Sequence, residues 1–191
     1  MDTRPKRRSI RLRGYDYSRC GAYFVSICTK DRTCLFGDIE NQEMALNDAG
    51  RMVDKWYVEL ENKFQDIRCD EYIIMPNHFH AIIQNTGPVG ADLCVCPDDD
   101  RHGRTSGEHT GSPLHRVIQW FKTMTTNGYI RGVKQYGWVP FAGRLWQRNY
   151  YEHIVRNENE MSRIREYIRN NPAQWATDKD NPFIEDKDSC P

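Results

Sequence analysis

The triplet His78-Phe79-His80 is the part of this chain whose chemistry is easiest to read. Alternate side chains on a β-strand point to opposite faces, so two imidazoles two residues apart project together while the phenylalanine between them enters the core. Two neutral imidazoles on one side clamp a metal ion and leave most of its coordination sphere open, which suits a cation that must also hold a substrate oxygen. An H-x-H pair can equally be two exposed histidines on a sheet. Here Met75-Pro76-Asn77 forms a tight turn directly before the pair and Ala81-Ile82-Ile83 an apolar strand directly after it, so the pair is held rigidly.

A nucleophile must come from elsewhere. The sequence has no G-x-S-x-G elbow, P-loop or H-E-x-x-H. Of its 10 tyrosines, Tyr167 is the most suggestive, because Asn171 follows it at helical spacing in RIREYIRNNP. Residues four apart stack on one helix face, so a single helix could deliver a phenol and an amide oxygen to the same metal. A phenol of pKa about 10 is only on the order of one part in a thousand ionised at neutral pH, so help must come from a cation on the phosphate. The adjacent pair Tyr150 and Tyr151 in LWQRNYYEH offers alternative phenols, with Tyr151 the runner-up to Tyr167.

These residues need elements to position them. Residues 22–29, AYFVSICT, read as a buried strand. From Asn47, which with Asp48 is a candidate cap, Met52, Trp56, Leu60 and Phe64 recur at helical spacing. Residues 67–75 and 78–84 read as a hairpin split by Pro76 and Asn77. Val117, Ile118, Phe121 and Met124 mark a helix over 114–131, and an extended piece follows at 145–151. Asn157 caps a last helix whose buried stripe is Met161, Ile164 and Ile168, with Pro172 just past its final turn. Strand, helix, strand, strand, helix, strand is the ferredoxin-like βαββαβ plan of an α+β fold. It predicts an antiparallel sheet with helices on one face, here with an extra C-terminal helix.

One domain fits 191 residues. A basic N-terminal arm is expected over 1–20, the folded domain over 21–176 with a mobile insertion at 85–113, and an acidic tail over 177–191. The formal net charge of +0 argues against a nucleic-acid binder until its distribution is considered: Arg4, Lys6, Arg7, Arg8, Arg11 and Arg13 crowd the arm, and Glu185, Asp186 and Asp188 the tail. Seven irregularly spaced cysteines fit reduced thiols better than a disulfide framework, and Cys94-x-Cys96 lacks the partners of a structural zinc site. No apolar run reaches membrane-spanning length and none follows the basic start as a signal core, so a cytoplasmic location is expected.

The segments YDYSRCGAYFVSICTKDR, EYIIMPNHFHAII and LWQRNYYEHIVRNENEMSRIREYIRNNPAQW together resemble the single-tyrosine transposase-like family with a His-hydrophobic-His (HUH) motif, and specifically its REP-associated tyrosine transposase branch. The resemblance implies that His78 and His80 bind a divalent metal, Mg²⁺ or Mn²⁺. It also implies that Tyr167 attacks DNA to leave a 5′-phosphotyrosine and a free 3′-OH, and it puts Asn171 where a third metal ligand is expected. The implied substrate is single-stranded DNA folded into imperfect hairpins, cut and rejoined without a nucleotide cofactor. Arg and Lys of the arm and of the 114–131 helix are candidate phosphate contacts, and Trp120, Trp138 and Trp146 are candidate base-stacking or packing residues. Two other functions stay open: a DNA-binding protein derived from a transposase that no longer cleaves, and a phosphohydrolase using the histidines with water. Against the latter, position 82 is Ile where a third alternating histidine would stand.

Overall fold

A computed structural model describes residues 16–17, 19–87 and 112–183. The elements are β1 (Gly21–Cys28), β2 (Gly37–Glu40), β3 (Glu43–Leu46), α1 (Asp48–Lys63), β4 (Ile67–Ile74), β5 (His78–Asn85), α2 (Leu114–Tyr136), β6 (Tyr151–Val155) and α3 (Glu158–Gln174). The main sheet runs β4-β5-β1-β6 and every pairing in it is antiparallel. With the β2–β3 hairpin set aside, this is the ferredoxin-like βαββαβ order expected from the sequence, and α3 is the additional C-terminal helix. Most of the expected arm and insertion, and the last residues of the tail, lie outside the described residues.

The sheet is apolar on both faces. Tyr23, Val25 and Ile27 of β1 and Phe79, Ala81 and Ile83 of β5 point to one side and pack with Val53, Tyr57 and Leu60 of α1 and Val117, Ile118 and Phe121 of α2. The alternate residues Ala22, Phe24 and Ile82, with Val155 of β6, meet Met161 and Ile168 of α3 on the other. The two-residue period of the strands therefore sends the histidines of β5 toward α3 and Phe79 toward α1 and α2. Asn47 caps α1 by accepting from Gly50 N at 2.9 Å, and Asn157 caps α3 by accepting from Glu160 N at 2.9 Å.

Four features differ from the sequence reading. A β2–β3 hairpin occupies 37–46, turning at Asn41 and Gln42 with φ of 51° and 67°, conformations usually given to glycine. The helix expected to end near Arg131 continues to Tyr136, where Gly137 stops it in a left-handed conformation with its N–H on Gly132 O. The extended segment at 145–151 becomes a regular strand only at Tyr151 and runs on to Val155. Lys122 Nζ bonds the carbonyls of Gln147 and Arg148 at 2.9 and 3.4 Å, holding that stretch off the ladder after a single bridge at Trp146. Pro172 lies inside α3, not beyond it; in the last turn its missing N–H forfeits a single helical bond, and its carbonyl accepts from Trp175 N.

Two ion pairs fix α3 against β4. Arg165 grips Asp70 with Nε at 2.8 Å and Nη2 at 2.6 Å, and Arg169 meets Glu71 at 2.6 Å. The Arg165 guanidinium, outweighing partial burial, holds the Asp70 carboxyl below its ordinary pKa. Because the folded value is the depressed one, this contribution to stability is complete above the unfolded carboxylate pKa of about 4 and is lost as pH falls through the folded value. Asp70→Ala is expected to lower the urea-unfolding free energy by about 1–3 kcal/mol at neutral pH. The gap from wild type should persist to about pH 5 and narrow below about pH 4. A gap that does not change with pH would mean the pair contributes through packing alone.

Candidate functional site

The site forms where β5 begins. Met75 N donates to His78 O at 2.8 Å to close the turn, and Leu35 N and Phe36 N both donate to Pro76 O, at 2.8 and 3.1 Å. Asn77 is fully buried, and its side chain is saturated: Nδ2 donates to Arg32 O at 2.9 Å and to Asp180 O at 2.6 Å. Its remaining atom, Oδ1, lies 2.9 Å from His78 Nδ1. With both amide hydrogens committed, Oδ1 can only accept, so His78 Nδ1 carries the proton and Nε2 presents a lone pair.

That lone pair faces α3. His78 Nε2 stands 3.4 Å from Asn171 Oδ1, so two acceptor atoms converge with no hydrogen between them. The His80 ring lies beside that of His78, centroids 4.5 Å apart at 61°, and its Nδ1 is buried without a hydrogen-bond partner among the described residues. Burial lowers the pKa of both histidines, for His80 with the help of His78 and despite the Asp178 and Asp180 carboxylates near His78. Both are thus neutral at neutral pH, the state a metal ligand needs. The converging acceptors, His78 Nε2 and Asn171 Oδ1, fit a cation better than they fit one another. Among the described residues no group of three or more His, Cys, Asp or Glu comes together, so the available set is two histidines and the Asn171 carboxamide.

Tyr167 overhangs this set. Its hydroxyl points at His80 Nε2 from 3.4 Å, and its ring stands edge-on to Phe24 at 6.0 Å. The residue as a whole is 41% exposed, so one side of it faces solvent. Burial raises the phenol pKa and the Asp178 charge adds to it, against a lowering contact from Asn171. The four residues singled out in the sequence are therefore neighbours, with the i, i+4 spacing of Tyr167 and Asn171 setting both over the histidines. Tyr151 shares this sheet face but pairs with Ser26, the residue across β1 from His80, and touches Phe24 at 6.2 Å. A whole strand separates it from the histidines. Tyr150 sits on the α2 side, with Lys122 Nζ 5.4 Å over its ring. Of the candidate stacking residues, Trp146 is buried against Phe36, and Trp120 packs edge-on to Trp56 and Phe64.

Sequence reasoning missed the residues that hold the histidines. Asn77 reads in sequence only as a turn former. Trp175 packs 6.0 Å from the His78 ring, and Asp180, paired with Arg32 at 3.2 Å, brings the start of the acidic stretch onto the site. Cys28 is the cross-strand partner of His78, but burial and the Asp180 charge push its thiol up to about 11, so it stays protonated at neutral pH.

No family model matches the chain. An uncharacterized protein of Haemophilus influenzae is 39% identical over 173 residues, covering 91% of this chain and 92% of its own. A solved structure of a REP-associated tyrosine transposase bound to a REP hairpin superposes with a TM-score of 0.51 at 15% identity, over 88% of this chain and 74% of that one. The chain belongs to the family of the Haemophilus influenzae protein and has the fold of a REP-associated tyrosine transposase. A further structure, from Deinococcus radiodurans, aligns with a TM-score of 0.43 at 16% identity, over 85% of this chain and 97% of that one. Among the described residues no helix is long and apolar enough to cross a membrane.

The saturated Asn77 side chain gives a direct test of how the site is built. Asn77→Ala strands the carbonyls of Asp180, buried, and Arg32, partly buried, and the His78 Nδ1 hydrogen, so the urea-unfolding free energy should fall by about 3 kcal/mol. The His78 ring should also lose its single tautomer, read from imidazole nitrogen shifts by NMR. An unchanged tautomer would mean that Asn77 does not set the lone pair toward Asn171.

Proposed function

We propose that this protein cuts and rejoins single-stranded hairpin DNA through a covalent tyrosine intermediate, in the manner of a transposase. The observation that carries this reading is the convergence of Tyr167 Oη, His80, His78 Nε2 and Asn171 Oδ1 at one opening beside α3. The hairpin bound to the REP-associated transposase of the same fold supports the choice of substrate.

In this reading Tyr167 Oη attacks the scissile phosphorus, the bond from phosphorus to O3′ breaks, and O3′ leaves to become the free 3′-OH while the 5′-phosphate stays on the tyrosine. Rejoining is the reverse, with a 3′-OH as nucleophile, so no nucleotide cofactor is consumed. His78, His80 and Asn171 would hold a divalent cation, Mg²⁺ or Mn²⁺, which when bound withdraws charge from the non-bridging phosphate oxygens. Phe24 keeps the Tyr167 ring edge-on, so that the phenol stays above the histidines while DNA approaches from the exposed side. The Arg165 and Arg169 pairs fix α3, and hence Tyr167 and Asn171, against β4, the neighbour of β5 in the sheet. The basic arm adds phosphate contacts on this reading.

Two experiments bear on it. Mn²⁺ should raise the thermal midpoint of wild type but not that of His78→Ala or His80→Ala. The same variants should cut a hairpin substrate on the order of a thousand-fold more slowly while still binding it. A histidine variant that keeps both the thermal response and the cleavage rate would not have removed a ligand.

Tyr167→Phe removes one half-exposed hydroxyl and keeps the ring, so stability should change by less than about 1 kcal/mol. Wild type should form a DNA adduct that survives denaturing electrophoresis and maps to the peptide containing Tyr167, and the variant should form none. Cleavage that persists in Tyr167→Phe without any adduct would hand the chemistry to water, and an adduct on Tyr151 would move the nucleophile across β1.

A further inference from the structure

The molecule's other face carries an open groove of about 480 Å³ between α1 and the end of α2, which the proposed cleavage chemistry does not use. Its apolar part is preorganised by glycine. A Cβ on Gly132 would stand 2.1 Å from the Trp138 ring, so the indole lies directly on the α2 backbone, and Tyr129 supports it edge-on at 5.3 Å. Tyr136 stands 6.3 Å from Trp138 and is 72% exposed. At the rim, Lys55 and Arg131 make no ion pair among the described residues, and the carboxylate that faces them, Asp48, is already held by Arg51 at 2.6 Å.

We infer that this groove binds single-stranded nucleic acid, with a base stacked on Trp138 and Tyr136 and the adjoining phosphates on Lys55 and Arg131. The packed Trp138 face and the exposed Tyr136 ring, beside cations without an ion pair among the described residues, match what an unstacked nucleotide offers, a π-face and a phosphate, whereas a duplex keeps its base faces covered. The position is also apt. Asn47, just ahead of Asp48, donates Nδ2 to Leu35 O at 3.0 Å, and Leu35 N donates to Pro76 O at 2.8 Å, so the groove opens at the end of the sheet where His78 begins. A strand leaving the groove over that end passes the turn that leads to the histidines. The inference needs single-stranded nucleic acid to be a ligand, not to be cut.

The test uses full-length protein carrying Tyr167→Phe, a fluorescein-labelled thymidine oligomer, and a blunt hairpin without overhang. Lys55→Ala combined with Arg131→Ala should weaken oligomer binding about ten-fold at moderate salt. The combination should also flatten the plot of log affinity against log salt by about 1.4, two contacts at about 0.7 each. Trp138→Ala should cost a further ten-fold or so, largely restored in Trp138→Phe, while blunt-hairpin affinity changes little. Unchanged oligomer affinity and salt slope in the Lys55 and Arg131 variant would overturn the inference. So would a variant that alters self-association by sedimentation and leaves DNA affinity intact, because the groove would then be a protein interface. Binding that depends on the groove in a protein that forms no adduct with Tyr167 restored would sink the cleavage reading and leave this one standing. Adduct formation with groove-independent binding would do the reverse.

Discussion

The carboxamide of Asn77 joins three pieces of chain that lie far apart in the sequence. It reaches Arg32 after β1, His78 at the start of β5 and Asp180 beyond α3, and every polar atom of its side chain is used in doing so. In a fully buried position this saturation matters twice over. A buried amide lacking any of these partners would be a net cost, and with all of them it dictates which nitrogen of His78 bears the proton. The direction in which the first histidine presents its lone pair is thus settled by a residue that would never contact the substrate.

Around that anchor the sheet does the sorting. Because β5 is central and apolar on both faces, its two-residue alternation can give Phe79 to one helical layer and the two histidines to the other without either side meeting water. The cost of placing imidazoles at a sheet–helix interface is visible in their lowered pKa values and in a His80 Nδ1 that has no hydrogen-bond partner among the described residues. The fold lays Asn171 and Tyr167 of a single helix over the other ring nitrogens, His78 Nε2 and His80 Nε2, at 3.4 Å each.

What could be read from the sequence followed from local periodicity. His78 and His80 share a face by strand alternation, Tyr167 and Asn171 by helical spacing, and the βαββαβ order from where each period changes. The parts not read were those that depend on distant chain. Asn77 looks like an ordinary turn residue until Arg32 and Asp180 are brought to it. Tyr151–Val155 carries Glu152 and His153 in an edge strand, too polar to announce itself, and the real start of that strand is set by Lys122 drawing the preceding carbonyls aside. The β2–β3 turn uses Asn41 and Gln42 where a glycine would have signalled a hairpin. Pro172 misled because a proline in the last turn of a helix costs one bond, whereas the same residue earlier would have ended it.

The electrostatics of Tyr167 set the remaining demand on the site. Its phenol starts near a pKa of about 10, and burial together with Asp178 moves it upward, so the chain by itself makes the proposed nucleophile harder to ionise. Lys179 is among the groups near the histidines but acts on them as a like charge, and Arg32 is spent on Asp180. The described residues therefore bring carboxylates close to the phenol and leave the compensating positive charge to be imported. A divalent ion held by His78, His80 and Asn171 would meet that need where the lone pairs already point, and a phosphate beside it would add its own charge to the hold. On the proposed reading the neutrality of the whole chain is no objection to DNA chemistry, because a bound cation would supply the positive charge needed at the phosphate.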